Sequence, residues 1–280
     1  MAKRKARQTV LITGAASGIG RETARAFAER GASLELSDLN YTGLLETQAL
    51  CEAAGASAVH VQQVDVSDAA AVEAHARSVH ARVAALDVLI NNAGIGAAGR
   101  FLETSLETWR RTLDINLMGV VHGCRAFIPA MVARGQGGRV VNVASVAGLV
   151  GMPDMPVYCA SKHAVVGFSE SLRGDLARHE IKVSCICPGV VDTNIVHSTR
   201  YEGKDFTPEV QQGIQKFYAG RKYTPRKVAD AIVDAVDRGA GLVPVTPESW
   251  FMWLTQRAAP GLITRLGRGD KVFAHLQRKR

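Results

Sequence analysis

A chain of 280 residues with 47% hydrophobic and 21% charged content reads as one large globular domain or two small ones, long enough to need no disulfide or metal staple. Its longest apolar runs fall short of the ~18–20 residues of a membrane span, so transmembrane and disordered classes are excluded. The net charge of +8 sits in the tails: Lys3, Arg4, Lys5 and Arg7 at the start, and six basic residues against Asp270 from Arg265 onward. The body is close to neutral. That distribution argues for solubilising charge and against a nucleic-acid partner, which would call for a basic stripe on the folded surface.

In chain order, Thr9–Thr13 is a compact β-branched strand that runs into a Gly-rich turn. A helix follows from Ile19 to Arg30, closed by Gly31. Leu34–Ser37 is the second strand and Tyr41–Ala54 a helix closed by Gly55. Ala58–Val64 is the third strand, and Asp68–Val83 a helix with Ser67 as its N-cap. Val88–Ile90 is a strand entering NNAG, and a long helix covers Leu106–Arg134. Arg139–Val143 is a strand, Val157–His179 a helix, and Lys182–Ile186 a strand. After an irregular stretch come a helix over Arg226–Arg238 and a short strand at Leu242–Val245. This alternation predicts an α/β class: a single doubly wound Rossmann domain, its parallel sheet wrapped by helices.

Residues 8–192 then form a cofactor and catalytic core, 193–225 a substrate lid, and 246–280 a C-terminal extension. The lid is inferred because long patternless segments in compact domains often cover sites. Trp250–Leu266 reads as a helix, apolar at 250, 253, 254, 262 and 266, that packs on the core or a neighbouring subunit. A peripheral membrane contact is left open, without support. MAKRKARQ enters a strand with no apolar region or cleavage site, so it is no secretory signal. The five cysteines show no paired spacing, so they are expected to be free thiols of a reducing cytoplasm, with no metal.

Two features point to a dinucleotide. The turn Thr13–Gly20 (TGAASGIG) holds Gly14, Ser17, Gly18, Ile19 and Gly20 between a strand and a helix. There backbone N–H groups and the helix N-terminus can receive a pyrophosphate. Asp38 ends the second strand, where a carboxylate would accept from ribose hydroxyls and repel a 2′-phosphate; helix capping is its alternative, a task open also to Asn40. No basic residue stands beside it in Ser37-Asp38-Leu39-Asn40. NAD is therefore expected over NADP. Asp65 and Val66 could hold the adenine edge, against a plain turn role for Asp65.

Tyr158 and Lys162 share one helix face, with Ser145 just beyond a strand and Asn116 within the preceding helix. With TGAASGIG, NNAG at 91–94, Asn116 in Asn-Leu-Met-Gly, Ser145, Tyr158-xxx-Lys162, and Pro188-Gly189 followed by Thr193, the chain resembles the short-chain dehydrogenase/reductase family almost end to end. The resemblance weakens after Asp192.

It implies a seven-stranded parallel sheet of order 3-2-1-4-5-6-7 and a homotetramer or homodimer. It also implies a catalytic set of Asn116, Ser145, Tyr158 and Lys162, with Tyr158 as general acid/base. A tyrosine of pKa ~10 needs about 3–4 kcal/mol of differential stabilisation to work near neutrality, which Lys162 and a nicotinamide cation are suited to supply. Ser145 would hold the substrate oxygen, and Asn116 a water linking Lys162 to solvent. Leu39, Asn91, Asn92, Ala93 and Gly94, with Pro188, Gly189, Val191 and Thr193, would line the cofactor. For Asn91 a bracing role in the sheet competes with that contact.

Met152 and Met155, in a nearly uncharged stretch between Ser145 and Tyr158, suit an apolar substrate, with loop packing as their alternative. The expected activity is hydride transfer between NAD and a lipophilic secondary alcohol or ketone, sterol-, retinoid- or acyl-like. An NADPH-dependent biosynthetic ketoreductase is the alternative. A cofactor-sensing protein without chemistry ranks last, because all four catalytic positions are present.

Overall fold

The computed structural model describes residues 7–193, 195–221 and 223–262. The basic residues before Arg7 and from Arg265 on, Asn194 at the start of the expected lid, and Leu266 of the expected C-terminal helix lie outside the described residues.

Among the described residues nine strands form: β1 (Thr9–Thr13), β2 (Ser33–Asp38), β3 (Ala58–Gln63), β4 (Val88–Asn91), β5 (Ala97–Ala98), β6 (Gly138–Val143), β7 (Ile181–Cys187), β8 (Arg200–Tyr201) and β9 (Leu242–Pro244). Seven make one parallel sheet in the order β3-β2-β1-β4-β6-β7-β9. Counted among themselves, those seven keep the expected 3-2-1-4-5-6-7 sequence. The two-residue strands β5 and β8 pair apart from it and were not foreseen.

The helices are α1 (Gly18–Ala28), α2 (Tyr41–Ala53), α3 (Ala69–His80), α4 (Leu106–Leu113), α5 (Gly119–Arg134), α6 (Pro156–Asp175), α7 (Ile195–Ser198), α8 (Pro208–Ala219), α9 (Pro225–Arg238) and α10 (Pro247–Ala258). Three of these outcomes depart from the sequence reading. Asp68, not Ser67, caps α3, its carboxylate accepting from the Ala70 and Ala71 amides, because Ser67 is itself tied to Asp65. The helix over 106–134 is broken by a π-turn at Asp114–Met118, where the Gly119 amide reaches back to the Asp114 carbonyl. The stretch 192–224 is not irregular: it holds α7, β8 and α8.

Alternation along β1 explains the two-sided core. Val10 and Ile12 join Phe27, Leu34, Leu36, Ile90 and Ile232 under α1, α2 and α9. Leu11 faces the other way, onto Leu89, Val120, Phe127, Met131 and Val165 under α3, α5 and α6. Phe27 and Phe127 are 0% and 1% exposed, and truncating either to alanine should cost ~3–5 kcal/mol.

The stretch Leu106–Arg134 meets a length and hydropathy criterion for crossing a membrane, 29 residues with a window of mean hydropathy 1.4, which the short unbroken apolar runs had hidden. Its α5 half packs on β4, β6 and α3 and places Phe127 and Met131 in the core. That is the setting of a core helix.

Candidate active site

The chain leaves β1 for β2 and β3 on one side and returns to β4 on the other, which opens a crevice at the carboxyl ends of β1 and β4. Backbones approach closely there. A Cβ on Gly14, whose φ is +67°, would lie 2.7 Å from the Ala93 Cα, and one on Gly20 would collide with the Gly14 carbonyl. Asn92 cements the crossing: its Nδ2 donates to the carbonyls of Thr13 and Gly14, both at 3.0 Å. Thr13 Oγ1 accepts from the Asn92 and Ala93 amides. The turn is thus packed backbone on backbone at the start of α1, and a helix N-terminus behind a Gly-rich turn fits a dinucleotide pyrophosphate. Ser17 makes no side-chain capping bond to α1, and Gly18 faces Thr193 across the cleft.

Asp38 is held by two backbone donors, Ala16 N to Oδ2 at 3.0 Å and Asn40 N to Oδ1 at 2.9 Å. The capping task falls to Asn40, which accepts from the Gly43 amide. Leu39 is 62% exposed beside it. Asp65 spends Oδ1 on the Ser67 amide and hydroxyl, as a turn residue does. Val66 offers its carbonyl to His122 Nδ1 and packs where a Gly119 side chain would otherwise stand.

Asn91 points into the sheet. Its Nδ2 donates to Asn142 Oδ1 at 2.9 Å, and Asn142 Nδ2 donates to Ser169 Oγ at 3.0 Å. The bracing role is the one its geometry displays.

The four expected catalytic residues converge at the ends of β4 and β6. Ser145 follows β6 and caps the 3₁₀ turn Val146–Gly148, Oγ accepting from the Ala147 amide at 3.2 Å. Val146 N donates to the Pro188 carbonyl at 2.7 Å, which fastens this turn to the segment after β7. Tyr158 and Lys162, one turn apart on α6, are both buried, with Lys162 Nζ 5.8 Å from the phenol ring centroid. Nζ donates to the Val143 carbonyl at 3.1 Å. The π-turn aims Asn116 inward. Its Oδ1 accepts from Ile95 N at 2.8 Å, and its Nδ2 donates to the Ile95 carbonyl and to Ser161 Oγ. Gly94 lies between: a Cβ there would stand 3.1 Å from Asn116 Oδ1 and 3.4 Å from Lys162 Nζ.

Burial pushes the Tyr158 phenol above its ordinary range, while a hydrogen bond with Ser145 works the other way. Burial lowers the Lys162 ammonium to about 8. At neutral pH the phenol is therefore held neutral while Lys162 still carries its proton, and a further positive charge beside them would favour the phenolate. Such a phenol, poised between a serine hydroxyl and an ammonium, can exchange a proton with an alcohol or carbonyl oxygen held at Ser145.

Met152 and Met155 pack on Ala147, Tyr158 and Cys159. Met155 also joins the apolar cluster of Ala98, Val196, Phe206 and Ile214, flanked by Tyr201, Val210 and Tyr218. The segment carrying these groups is pinned by β5–β8 pairing, by Glu202 on Ser105 and Thr108, and by Arg100 on Asp205 at 2.9 Å. Tyr218 lies near enough to Tyr158 to raise its pKa further. It escaped the sequence reading, although Thr207-Pro208 followed by Val210, Ile214 and Tyr218 is a helix start with apolar residues four apart. Gly189 is crowded by Thr246 and Glu248; Val191 is buried. All five cysteines are free and buried.

Residues 8–203 match the family model described as short chain dehydrogenase. The chain is 46% identical to the probable oxidoreductase EphD of Mycobacterium tuberculosis over 255 residues, 90% of this chain and 43% of that protein. It therefore spans less than half the length of that relative. It is 38% identical over 192 residues to human estradiol 17-beta-dehydrogenase 11, covering 68% of this chain and 63% of that one. A crystal structure of a short chain dehydrogenase/reductase from Burkholderia phymatum, in complex with NAD, superposes with a TM-score of 0.83 at 32% identity, covering 91% of this chain and 95% of that one.

Proposed function

The chain belongs to the short chain dehydrogenase family of oxidoreductases, and from that premise we propose that it transfers hydride between NAD and a lipophilic secondary alcohol or its ketone. The observation that carries the reading is the convergence of Ser145, Tyr158, Lys162 and Asn116 beside a glycine cradle that a single Cβ would block. Bound NAD supplies the hydride acceptor or donor and, when oxidised, a positive charge. In this reading the carboxylate of Asp38, fixed by Ala16 and Asn40, takes the adenosine ribose. Gly14, Ser17, Gly18, Ile19 and Gly20 take the pyrophosphate. Pro188, Gly189, Val191 and Thr193 border the nicotinamide end.

Ser145 holds the substrate oxygen, and Tyr158 takes its proton in oxidation or returns it in reduction. Lys162 stabilises the phenolate. Asn116, anchored on both polar atoms of its amide, orients a water at the opening that Gly94 leaves beside Nζ, and so connects Lys162 with solvent. An apolar substrate is supported by the continuous wall from Met152 and Met155 to Phe206, Ile214 and Tyr218. That wall offers no carboxylate or phosphate clamp. The name of the human relative, a dehydrogenase of a steroid, agrees with this class.

Tyr158→Phe is the test. Turnover of a lipophilic secondary alcohol with NAD should fall ~10³-fold, within the ~10²–10⁴-fold that a positioned general acid/base contributes. NADH affinity should stay within about threefold, since that substitution leaves the cradle intact. Unaltered turnover would overturn the mechanism, and turnover confined to small polyols or sugars would overturn the substrate class.

A further inference from the structure

The tyrosines of this chain differ in what their hydroxyls do. Tyr201 Oη donates to the Val196 carbonyl at 3.3 Å, and Tyr223 Oη to the Val245 carbonyl at 2.8 Å. Tyr158 shares a hydrogen bond with Ser145, and Tyr41 is largely exposed. Tyr218 is half-buried in the apolar wall, and among the described residues nothing hydrogen-bonds its hydroxyl. A tyrosine in apolar surroundings ordinarily finds a partner for its O–H, and leaving one unmade is costly. Phenylalanine at 218 would keep the ring packing without that cost.

The hydroxyl is also well placed. Tyr218 packs on the cluster of Ala98, Val196, Phe206 and Ile214. Met155 packs on the same cluster and on that of Tyr158, so the two phenols border one apolar surface. They stand near enough for Tyr218 to raise the pKa of Tyr158. The helix that carries Tyr218 is fastened at both ends. Gln211 Nε2 donates to the Phe206 carbonyl at 2.9 Å. Arg221, just past α8, donates to Glu248 at 2.9 Å, and Glu248 accepts from Val190 N at 3.2 Å. Burial and then Tyr201 raise the Tyr218 phenol to about 12, against a smaller effect of Arg221. The group is therefore a neutral donor at physiological pH.

We propose that Tyr218 is a specificity-determining residue whose hydroxyl donates to a second oxygen of the substrate. The molecule taken up is then an apolar secondary alcohol or ketone with a further ether, hydroxyl or carbonyl oxygen away from the reacting carbon. This rests on the reading in which Ser145 and Tyr158 hold the reacting oxygen. A site built to hydrogen-bond a substrate oxygen discriminates against the analogue that lacks it.

The probes are 2-nonanol and a series of analogues in which one ether oxygen replaces successive methylenes of its chain. The readout is the ratio of kcat/KM for each ether to that for 2-nonanol, with saturating NAD, in the unaltered protein and in Tyr218→Phe. At one oxygen position the ratio should fall roughly tenfold in the variant, because the enclosed ether oxygen loses its donor. Any effect on the wall common to all probes cancels in the ratio. The corresponding ketones are titrated calorimetrically into the NAD-loaded proteins, where no hydride is available, and the ratio of their affinities should fall by a similar factor.

Turnover with ratios that are the same in both proteins would overturn the role of Tyr218 and leave hydride transfer standing. A uniform loss across all probes would do the same, showing that the residue only packs. If no alcohol turns over, but ketone binding shows a preference for one oxygen position that Tyr218→Phe abolishes, the second-oxygen site stands and the hydride-transfer reading falls. Neither turnover nor binding of any probe would overturn both.

Discussion

Replacing Asp38 by asparagine isolates one charge in the cofactor cradle. The side chain keeps its shape but exchanges a charged acceptor for a neutral amide. In the structure the carboxylate receives Ala16 N and Asn40 N, and the amide can accept only one of them, so stability should drop by about 1–2 kcal/mol. For NADH, losing a hydrogen bond to a charged group costs about 1.5–3 kcal/mol, or roughly 10- to 150-fold in affinity. For NADPH the change has the opposite sign. Two unit charges 4 Å apart at an effective dielectric constant of 20 repel by about 4 kcal/mol, which partial solvent exposure and salt reduce to about 1–2 kcal/mol. The NADH-to-NADPH affinity ratio should therefore fall by roughly 70- to 5,000-fold. Calorimetric titration of both cofactors at matched ionic strength measures it, with a thermal melt to confirm folding. A folded variant with an unchanged ratio would refute Asp38 as the reader of the ribose.

Gly20→Ala should abolish detectable NADH binding, because its methyl would collide with the Gly14 carbonyl and spread the turn; fluorescence titration checks this, and near-native affinity would contradict the cradle. His75 is 2% exposed, hydrogen-bonded through Nδ1 to Gln62 at 2.9 Å, with burial and then Arg82 lowering its pKa to about 4. The unfolded chain, with an ordinary imidazole near 6.5, binds more protons between those values, so the stability from neutral His75 is complete above pH 6.5 and is lost as pH falls toward 4. It amounts to up to about 3 kcal/mol. Urea unfolding at pH 7, 5.5 and 4 should show His75→Gln losing less stability than the unaltered protein over that window.

Where local pattern and tertiary role coincide, the sequence was readable. β1 is a β-branched run because both its faces are buried, and Gly14 and Gly20 are glycines because backbone occupies the space a Cβ would need. Helical spacing puts Tyr158 and Lys162 on one face, but it took the motifs around them and the family resemblance to single them out. Other features are settled by tertiary contacts that no window of sequence contains. β5 and β8 are two residues each and exist only through their pairing. Ser67 is a good capping residue, but Asp65 engages it first. Asn91 and Asn142 are neighbours in register across β4 and β6, so the bracing role of Asn91 appears only once the sheet forms. Helix α8 was within reach of the sequence, yet its polar surroundings masked the spacing of Val210, Ile214 and Tyr218.

The π-turn at Asp114–Met118 has an effect on how this chain can vary. An α-helix advances ~100° per residue, and a π-turn accommodates one residue more than regular winding. Residues before 114 and after 118 are therefore out of phase by about that angle, as if two helices had been spliced with a twist. Removing any one residue from the splice would give smoother winding. It would also rotate either Asn116 away from Ile95 and Ser161, or Phe127 and Met131 away from the sheet. The irregular turn is thus a length constraint: shortening by a single residue between 114 and 118 should be tolerated less well than shortening the loop at Gly135–Gln136, where a Cβ on Gly135 meets nothing within 4 Å.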